Sequence, residues 1–294
     1  MTRTELVATG PRVVALFPHH NRPLAADLSR RSAEAFAARG VEVRLLRADA
    51  DAVGLAALAV EDDALLDGLD VAISLGGDGT MLRTVAAVYE SPAAVLGVNV
   101  GQLGYLTEVE PVDIDAALAR VVAGDYSVEE RMVLQVDVTS DGEAAGRWWG
   151  LNEAGIDKEQ PGRLVRLAVS INRAFFTTYA ADGVIVATPT GSTAYSYSAG
   201  GPIVSPRHRC LLLTPVAPHM LFDRSLVLDA DEEITFTVTD GRAVVLTMDG
   251  RELGRLVTGD EVVCTAGAKS ARIVTFGPRD FHQILKAKFG LEDR

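Results

Sequence analysis

The chain has 294 residues, 48% hydrophobic and 23% charged, enough for two globular domains with separate cores. Its net charge of −12 argues against a nucleic-acid binder, whose affinity comes from Lys and Arg meeting phosphate, while a local basic pocket for a small phosphate ligand stays open. There is no apolar run of membrane-span length and no secretory start, and Cys210 and Cys264 lie far apart in apolar surroundings, so a reducing, cytoplasmic setting is expected, with neither membrane nor nucleic acid as partner.

In chain order, Val13-Val14-Ala15-Leu16-Phe17 reads as a buried strand. Residues 24–38 carry apolar side chains at helical spacing and stop at Gly40. Residues 41–46 form a second predicted strand, and residues 70–75 a third, running straight into glycines. Residues 81–89 are predicted helical and 94–98 form a fourth strand. Strands alternating with helices imply a doubly wound, mostly parallel sheet. After about residue 125 the pattern changes: residues 133–138, 164–171, 234–238 and 243–248 alternate apolar and polar, as half-buried strands do. Asp141-Gly142 and Asp240-Gly241 read as hairpin-type turns. The expected organisation is an α/β N-terminal domain over 1–125 and an all-β C-terminal domain over 126–275. A helical tail over 276–294 is then expected to pack back on the first domain.

Two segments carry the chemistry. Gly76-Gly77-Asp78-Gly79-Thr80 lies where a parallel strand ends and a helix begins, the ligand edge of an open α/β sheet. Glycines let backbone approach phosphate, and the helix start offers free N–H groups to an anion. Asp78 is the odd member. Beside phosphates an acid either binds a metal or takes a proton from the attacking group, and both belong to phosphoryl transfer; otherwise it caps a helix in a tight turn. The glycine-lysine-serine/threonine phosphate loop and the protein-kinase signature are both absent.

The second segment, residues 188–202, is almost entirely small, hydroxylated or turn-forming and follows the apolar run Val184-Ile185-Val186-Ala187. It reads as a surface that holds a polar ligand at close range. The 99–106 segment, Asn99-Val100-Gly101-Gln102-Leu103-Gly104-Tyr105-Leu106, reads as another loop on the same sheet edge or as a plain turn. Asn152-Glu153 suits ribose hydroxyls or a solvated turn, and the adjacent His19 and His20 have no evident metal partners.

Together these segments resemble the NAD kinases, which phosphorylate the 2′-hydroxyl of the adenosine ribose of NAD to give NADP. The resemblance runs from about residue 71 to 275. It rests on the Gly-Gly-Asp-Gly-Thr cluster, the Asn-x-Gly-x-Leu-Gly-aromatic-Leu element from Asn99, the Asn152-Glu153 pair, Asp182-Gly183, residues 188–202 with Tyr197 where Leu is common, and Met248-Asp249-Gly250. The resemblance implies an active site between the two domains with Asp78 as general base. Gly76, Gly77, Gly79 and Thr80 would hold phosphate or ribose, with Arg83 and Asn99 toward the same ligand. Asn152 and Glu153 would hold NAD and Asp182 its nicotinamide end. Thr190, Thr193, Ala194, Tyr195 and Ser198 would line the adenine and ribose pocket. It also implies ATP or polyphosphate as donor, Mg²⁺ arriving with the donor rather than in a protein cage, and a homodimer or homotetramer. Ala180 stands where relatives often carry a basic residue, and Arg163 is the candidate substitute; Arg224-Ser225 stands where Arg-Pro is common. A lipid or sugar kinase would explain the first motif but leave residues 188–202 without a role, and a non-enzymatic dinucleotide sensor has no need of Asp78.

Overall fold

A computed structural model describes residues 4–6, 9–101, 104–160, 162–277 and 280–291, and the described chain divides into two compact units. One comprises the described residues of Thr2–Glu130 with Ala271–Arg294; the other is Arg131–Ser270.

The first unit is built on an eight-stranded sheet. Its order is Thr4–Leu6, Ser127–Arg131, Ala271–Thr275, Ala94–Asn99, Val71–Gly76, Val13–Pro18, Glu42–Leu46 and Ala59–Val60. The pairs from Ala271–Thr275 to Ala59–Val60 are parallel, and Thr4–Leu6 pairs antiparallel with Ser127–Arg131. Val71–Gly76 and Ala94–Asn99 are buried at every position, which explains why each reads as a continuous apolar run rather than an alternation. The helices Pro23–Ala37 and Ile114–Ala123 contribute Leu28, Phe36, Leu118 and Val121 to the same core as Leu16, Ile73 and Leu96.

The sheet order reverses between Val13–Pro18 and Val71–Gly76. The chain leaves the first of these strands toward Glu42–Leu46 and the second toward Ala94–Asn99. A crevice opens outside the carboxyl ends of two strands at such a point.

The second unit is all antiparallel. One six-stranded sheet runs Leu226–Asp229, Cys210–Val216, Gly183–Ala187, Glu153–Lys158, Val244–Met248, Arg251–Leu256. The other runs Ala174–Ala181, Val165–Ile171, Ile234–Val238, Glu261–Ala266, Leu134–Ser140, Glu143–Gly150. The inward side chains of both, among them Val136, Leu167, Phe236, Ile156, Val186 and Leu246, form one core. Gly183–Ala187 is buried on both faces, because Ile185 and Ala187 also pack with Ala199, Val204 and Leu212 on the far side.

The expected α/β plus all-β architecture is the one observed, with two corrections. Residues 271–275, assigned from sequence to the β domain, form an interior strand of the parallel sheet, and the unit boundaries fall at 130/131 and 270/271 instead of 125 and 275. An isolated strand of apolar residues does not reveal which of two sheets it will join. Asp240-Gly241 is also not a hairpin. The strands on either side, Ile234–Val238 and Val244–Met248, belong to different sheets. A two-residue type I′ hairpin needs positive φ at both central positions. Asp141 and Gly142 meet this at 51° and 80°, as do Asp249 and Gly250 at 51° and 75°, whereas near 240 only Gly241 does. The helix Phe281–Phe289, with Asp280 capping its start, lies in the first unit and brings Phe289 against the Tyr105 ring, centroids 6.4 Å apart.

Because Ala271–Thr275 lies inside the sheet, a chain ended at Ser270 is expected to lose the cooperative thermal transition of the α/β unit, checked by scanning calorimetry of the full and shortened chains. An unchanged transition would show that the strand is dispensable.

Candidate functional site

The switch-point crevice is a cavity of about 470 Å³ lined by Pro18, His19, His20, Asn21, Arg22, Gly77, Gly79, Thr80 and Arg83. Gly77 is the N-cap of the helix Asp78–Val88, and Asp78 is its first residue. Gly79 has open space where a Cβ would stand, so backbone is presented to the cavity unscreened. Arg83, one turn into the helix, donates to Asp49 Oδ1 at 2.7 Å and to the Pro18 carbonyl at 2.8 Å. Arg22 donates to the Val100 carbonyl. Glycine backbone, a helix start and two guanidinium groups give this cavity the character of a phosphate site.

Asp78 does not cap its helix. Its carboxylate accepts from the backbone N–H groups of Tyr105 and Leu106, each at 3.0 Å, and Lys288 Nζ stands 3.9 Å away. Lys288 also lies over the Tyr105 ring, 3.5 Å from its centroid. Burial lowers the Lys288 pKa, with the Asp78 charge acting against that shift. Gly104 is required here, since a Cβ would come within 2.5 Å of Asp78 Oδ1. Asn99 is buried and serves this loop: its Oδ1 accepts from Gly101 N and its Nδ2 donates to Glu110. Residues 102 and 103 of the same element lie outside the described residues.

In the β unit, Asp249 accepts from the N–H groups of Leu151, Asn152 and Glu153 at 2.8, 2.8 and 3.0 Å. Burial raises the Asp249 pKa and these three bonds oppose the rise. Glu153 is 7% exposed, and its Oε2 accepts from Tyr195 N at 3.3 Å. Burial, and then the Asp249 charge, push Glu153 up to about 8, so at neutral pH its carboxyl is largely protonated and can donate as well as accept. Tyr195 donates its hydroxyl to Asp157 Oδ1 at 3.0 Å. Burial raises Asp157, and burial with the Asp157 charge raises Tyr195 to about 12. Asp182 pairs with Lys158 at 2.6 Å. Glu153, Asp157, Asp182 and Tyr195 thus form an acceptor-rich wall suited to a ligand carrying hydroxyl and amide donors.

The 188–202 segment is less open than its composition implies. Thr188 donates to the Leu151 carbonyl, Ser192 bonds the Pro189 carbonyl and the Val204 backbone, and Ser196 pairs with Thr214. These hydroxyls are buried and hold the segment itself, as does Thr190, whose carbonyl lies 3.5 Å from the Thr193 hydroxyl. Exposure is left to Tyr195, Tyr197, Ser198, Gly200 and Pro202, with Thr193, Ala194 and Ala199 half-buried. Gly191 approaches so closely that a Cβ would meet the Asn152 carbonyl at 2.2 Å, which locks the segment to the Asn152-Glu153 pair. Arg163 lines a separate cavity of about 200 Å³ with Arg242, Arg255 and Lys158, the last of which pairs with Asp182 of the wall.

Sequence reasoning missed Asp49, Lys288 and the grip of Asp249. Asp249 stood inside a recognised Asp-Gly turn, so only its turn role was visible. Asp49 and Lys288 carry no local pattern. Among the described residues no group of three or more His, Cys, Asp or Glu could hold a metal ion, and no helix is long and apolar enough to cross a membrane.

A cavity of this character at a switch point, with an acid held at the adjoining helix start, suits a small-molecule phosphotransferase. The ATP-NAD kinase N-terminal domain matches residues 56–126 and the ATP-NAD kinase C-terminal domain matches residues 151–276. The NAD kinase of Heliobacterium modesticaldum is 39% identical over 277 residues, 94% of this chain and 97% of its own. That of Symbiobacterium thermophilum is 41% identical over 93% of this chain and 97% of its own, and NAD kinase 2 of Streptomyces avermitilis 37% identical over 97% of each. The chain belongs to the NAD kinase family. Yeast NADH kinase, solved with NADH, shares the fold at a TM-score of 0.89 and 24% identity, covering 97% of this chain and 89% of its own. An NAD kinase from Archaeoglobus fulgidus, solved with ATP, does so at 0.68 and 24%, covering 95% and 96%.

A carboxyl whose pKa is raised in the folded state keeps a proton that the unfolded chain has lost. Glu153 therefore favours folding below about 4.5 and loses that contribution as pH rises toward about 8. The slope is at most ~1.4 kcal/mol per pH unit. Glu153→Gln is expected to flatten the fall in stability between pH 5 and 8.5, read from urea midpoints; an unchanged fall would remove Glu153 as its source.

Proposed function

We propose that the chain transfers a phosphoryl group from ATP to the 2′-hydroxyl of the adenosine ribose of NAD, producing NADP, with Asp78 as general base. The observation that carries this reading is the Asp78 carboxylate, fixed at a helix start by two backbone N–H groups beside a phosphate cavity. A carboxylate offers about four acceptor positions, so two amide bonds fix its orientation and leave room for the proton of an attacking hydroxyl. A carboxylate is a weak base toward a free alcohol, so it accepts the proton as the O–P bond forms rather than beforehand. Catalysis then rests on positioning and charge.

The donor's phosphates fit the cavity of Gly77, Gly79, Thr80 and Arg83, where open backbone and guanidinium meet anionic oxygens. Inorganic polyphosphate presents the same acceptor chain and is the second donor of this reading. Mg²⁺ is the expected cofactor, neutralising charge on the transferring group. A small hard cation keeps phosphate and water oxygens as ligands, so Mg²⁺ would arrive on the donor. Asn152, Glu153 and Tyr195 would hold the NAD ribose and adenine and Asp182 the nicotinamide carboxamide, whose donors suit an acceptor-rich wall. The buried free thiols of Cys210 and Cys264 fit a cytoplasmic enzyme. A homodimer or homotetramer would cover the exposed Phe175, Leu221 and Phe222.

NADP formation from NAD, ATP and Mg²⁺, followed by a coupled assay, tests the reading; no product above blank from folded protein that binds NAD would overturn it. Asp78→Asn is expected to abolish turnover while NAD affinity stays within about tenfold, roughly 1.4 kcal/mol. Full activity in that variant would remove the base assignment. Tyr195→Ala is expected to weaken NAD binding more than folding, read from an NAD titration beside a denaturation curve.

A further inference from the structure

The kinase reading leaves His20 and Asp49, which cluster with Arg83 at the switch-point cavity, without a role. Asp49, on the short helix Arg47–Val53, is 1% exposed. Its Oδ1 takes both His20 Nε2, at 2.5 Å, and Arg83 Nη1, at 2.7 Å. Its Oδ2 is buried and without a hydrogen-bond partner among the described residues. Stability alone does not favour this arrangement. An ionised carboxylate out of water is costly, and an unsatisfied buried acceptor adds to that cost. The two partners have one thing in common: His20 and Arg83 both line the cavity with Gly77, Gly79 and Thr80, and each keeps about two-fifths of its side chain exposed. A buried carboxyl group that anchors a half-exposed imidazole and a half-exposed guanidinium at the same cavity is a device for fixing their direction.

The imidazole chemistry narrows its use. With Nε2 engaged by Asp49, Nδ1 is the ring atom left for a ligand. Phosphate oxygens only accept, so a phosphate ligand requires Nδ1–H, and a ring donating from both nitrogens is the imidazolium cation. Beside Arg83, which is always charged, His20 would then present a second positive group to the same anion. His19 does not serve in this way, since its Nδ1 accepts from Asn21 N at 3.2 Å. Arg22 is held by the Val100 carbonyl.

We propose that His20 binds the terminal phosphates of the nucleoside-triphosphate donor, and that buried Asp49 is the positioning residue that aims His20 and Arg83 at them. The assignment rests on the kinase reading for its choice of ligand, but the binding it claims is measurable without turnover.

The test uses the full chain. His20→Gln alters a half-exposed side chain and is not expected to affect folding; Asp49→Asn is made beside it. Turnover is measured with ATP varied at saturating NAD and with NAD varied at saturating ATP. The ATP dissociation constant is measured separately by calorimetry without NAD. Both variants are expected to raise the ATP KM and the ATP dissociation constant about tenfold, with the NAD KM changed less than twofold. His20→Lys, which restores a cation, is expected to recover part of the loss. An unchanged ATP dissociation constant in His20→Gln overturns the proposal, and so does a loss shared equally between ATP and NAD. If Asp49→Asn fails to fold, His20→Gln decides alone. Absence of NADP formation by the unaltered protein would sink the kinase reading instead, and the calorimetric comparison would still decide whether His20 binds ATP.

Discussion

Consecutive backbone N–H groups closing on a single carboxylate are the interaction on which the rest of this structure depends. Among the described residues three carboxylates grip backbone distant in sequence in this way. Asp70 takes the amides of Arg12 and Val13, tying the starts of neighbouring parallel strands. Asp78 takes those of Tyr105 and Leu106, and Asp249 those of Leu151, Asn152 and Glu153. Each joins segments far apart in sequence, and hydrogen bonds to a charged acceptor contribute about 1.5–3 kcal/mol apiece, more than neutral ones. The grip also fixes geometry. The loop around Gly104 stands where Asp78 holds it, and the Asn152-Glu153 backbone stands where Asp249 holds it. At Asp249 burial works against the charge that the amides favour, so the loop and the carboxylate's ionisation depend on each other.

The two units solve opposite electrostatic problems. The switch-point cavity gathers guanidinium groups and open glycine backbone in a chain that is strongly acidic as a whole, which favours an anion locally against the average field. The β unit instead concentrates Glu153, Asp157 and Asp182 around one tyrosine. It keeps this tolerable by holding a proton on Glu153 and pairing Asp182 with Lys158.

The chain's punctuation made much of this legible. The strand-to-glycine transition at 75–77 located the ligand edge, because a parallel strand, a glycine turn and a helix start are each local features. The two Asp-Gly dipeptides at 141 and 240 show the limit. Their sequences are identical, yet one closes a hairpin and the other carries the chain between sheets, since the sheet each flanking strand joins is decided outside the dipeptide. The 188–202 segment was legible as special but not as self-bonded. Small hydroxylated residues serve a ligand and a buried turn equally well, and only the contacts of Thr188, Ser192 and Ser196 separate the two. Asp49 and Lys288 lie on short helices beside other charged residues, so nothing local marks them, and only tertiary structure shows what is set beside them.

The position of Ala271–Thr275 inside the parallel sheet bears on how the protein is made. The β unit is one continuous stretch, so it can close as soon as its last strand leaves the ribosome. The α/β unit begins first but waits for a strand encoded after the whole of its neighbour. Until then Ala94–Asn99 lacks its partner on one side and presents a bare edge of main-chain donors and acceptors. The usual order, in which the amino-terminal domain matures ahead of the rest, is inverted. The nascent chain therefore carries an unpaired strand edge in its first unit until residues 271–275 have been made.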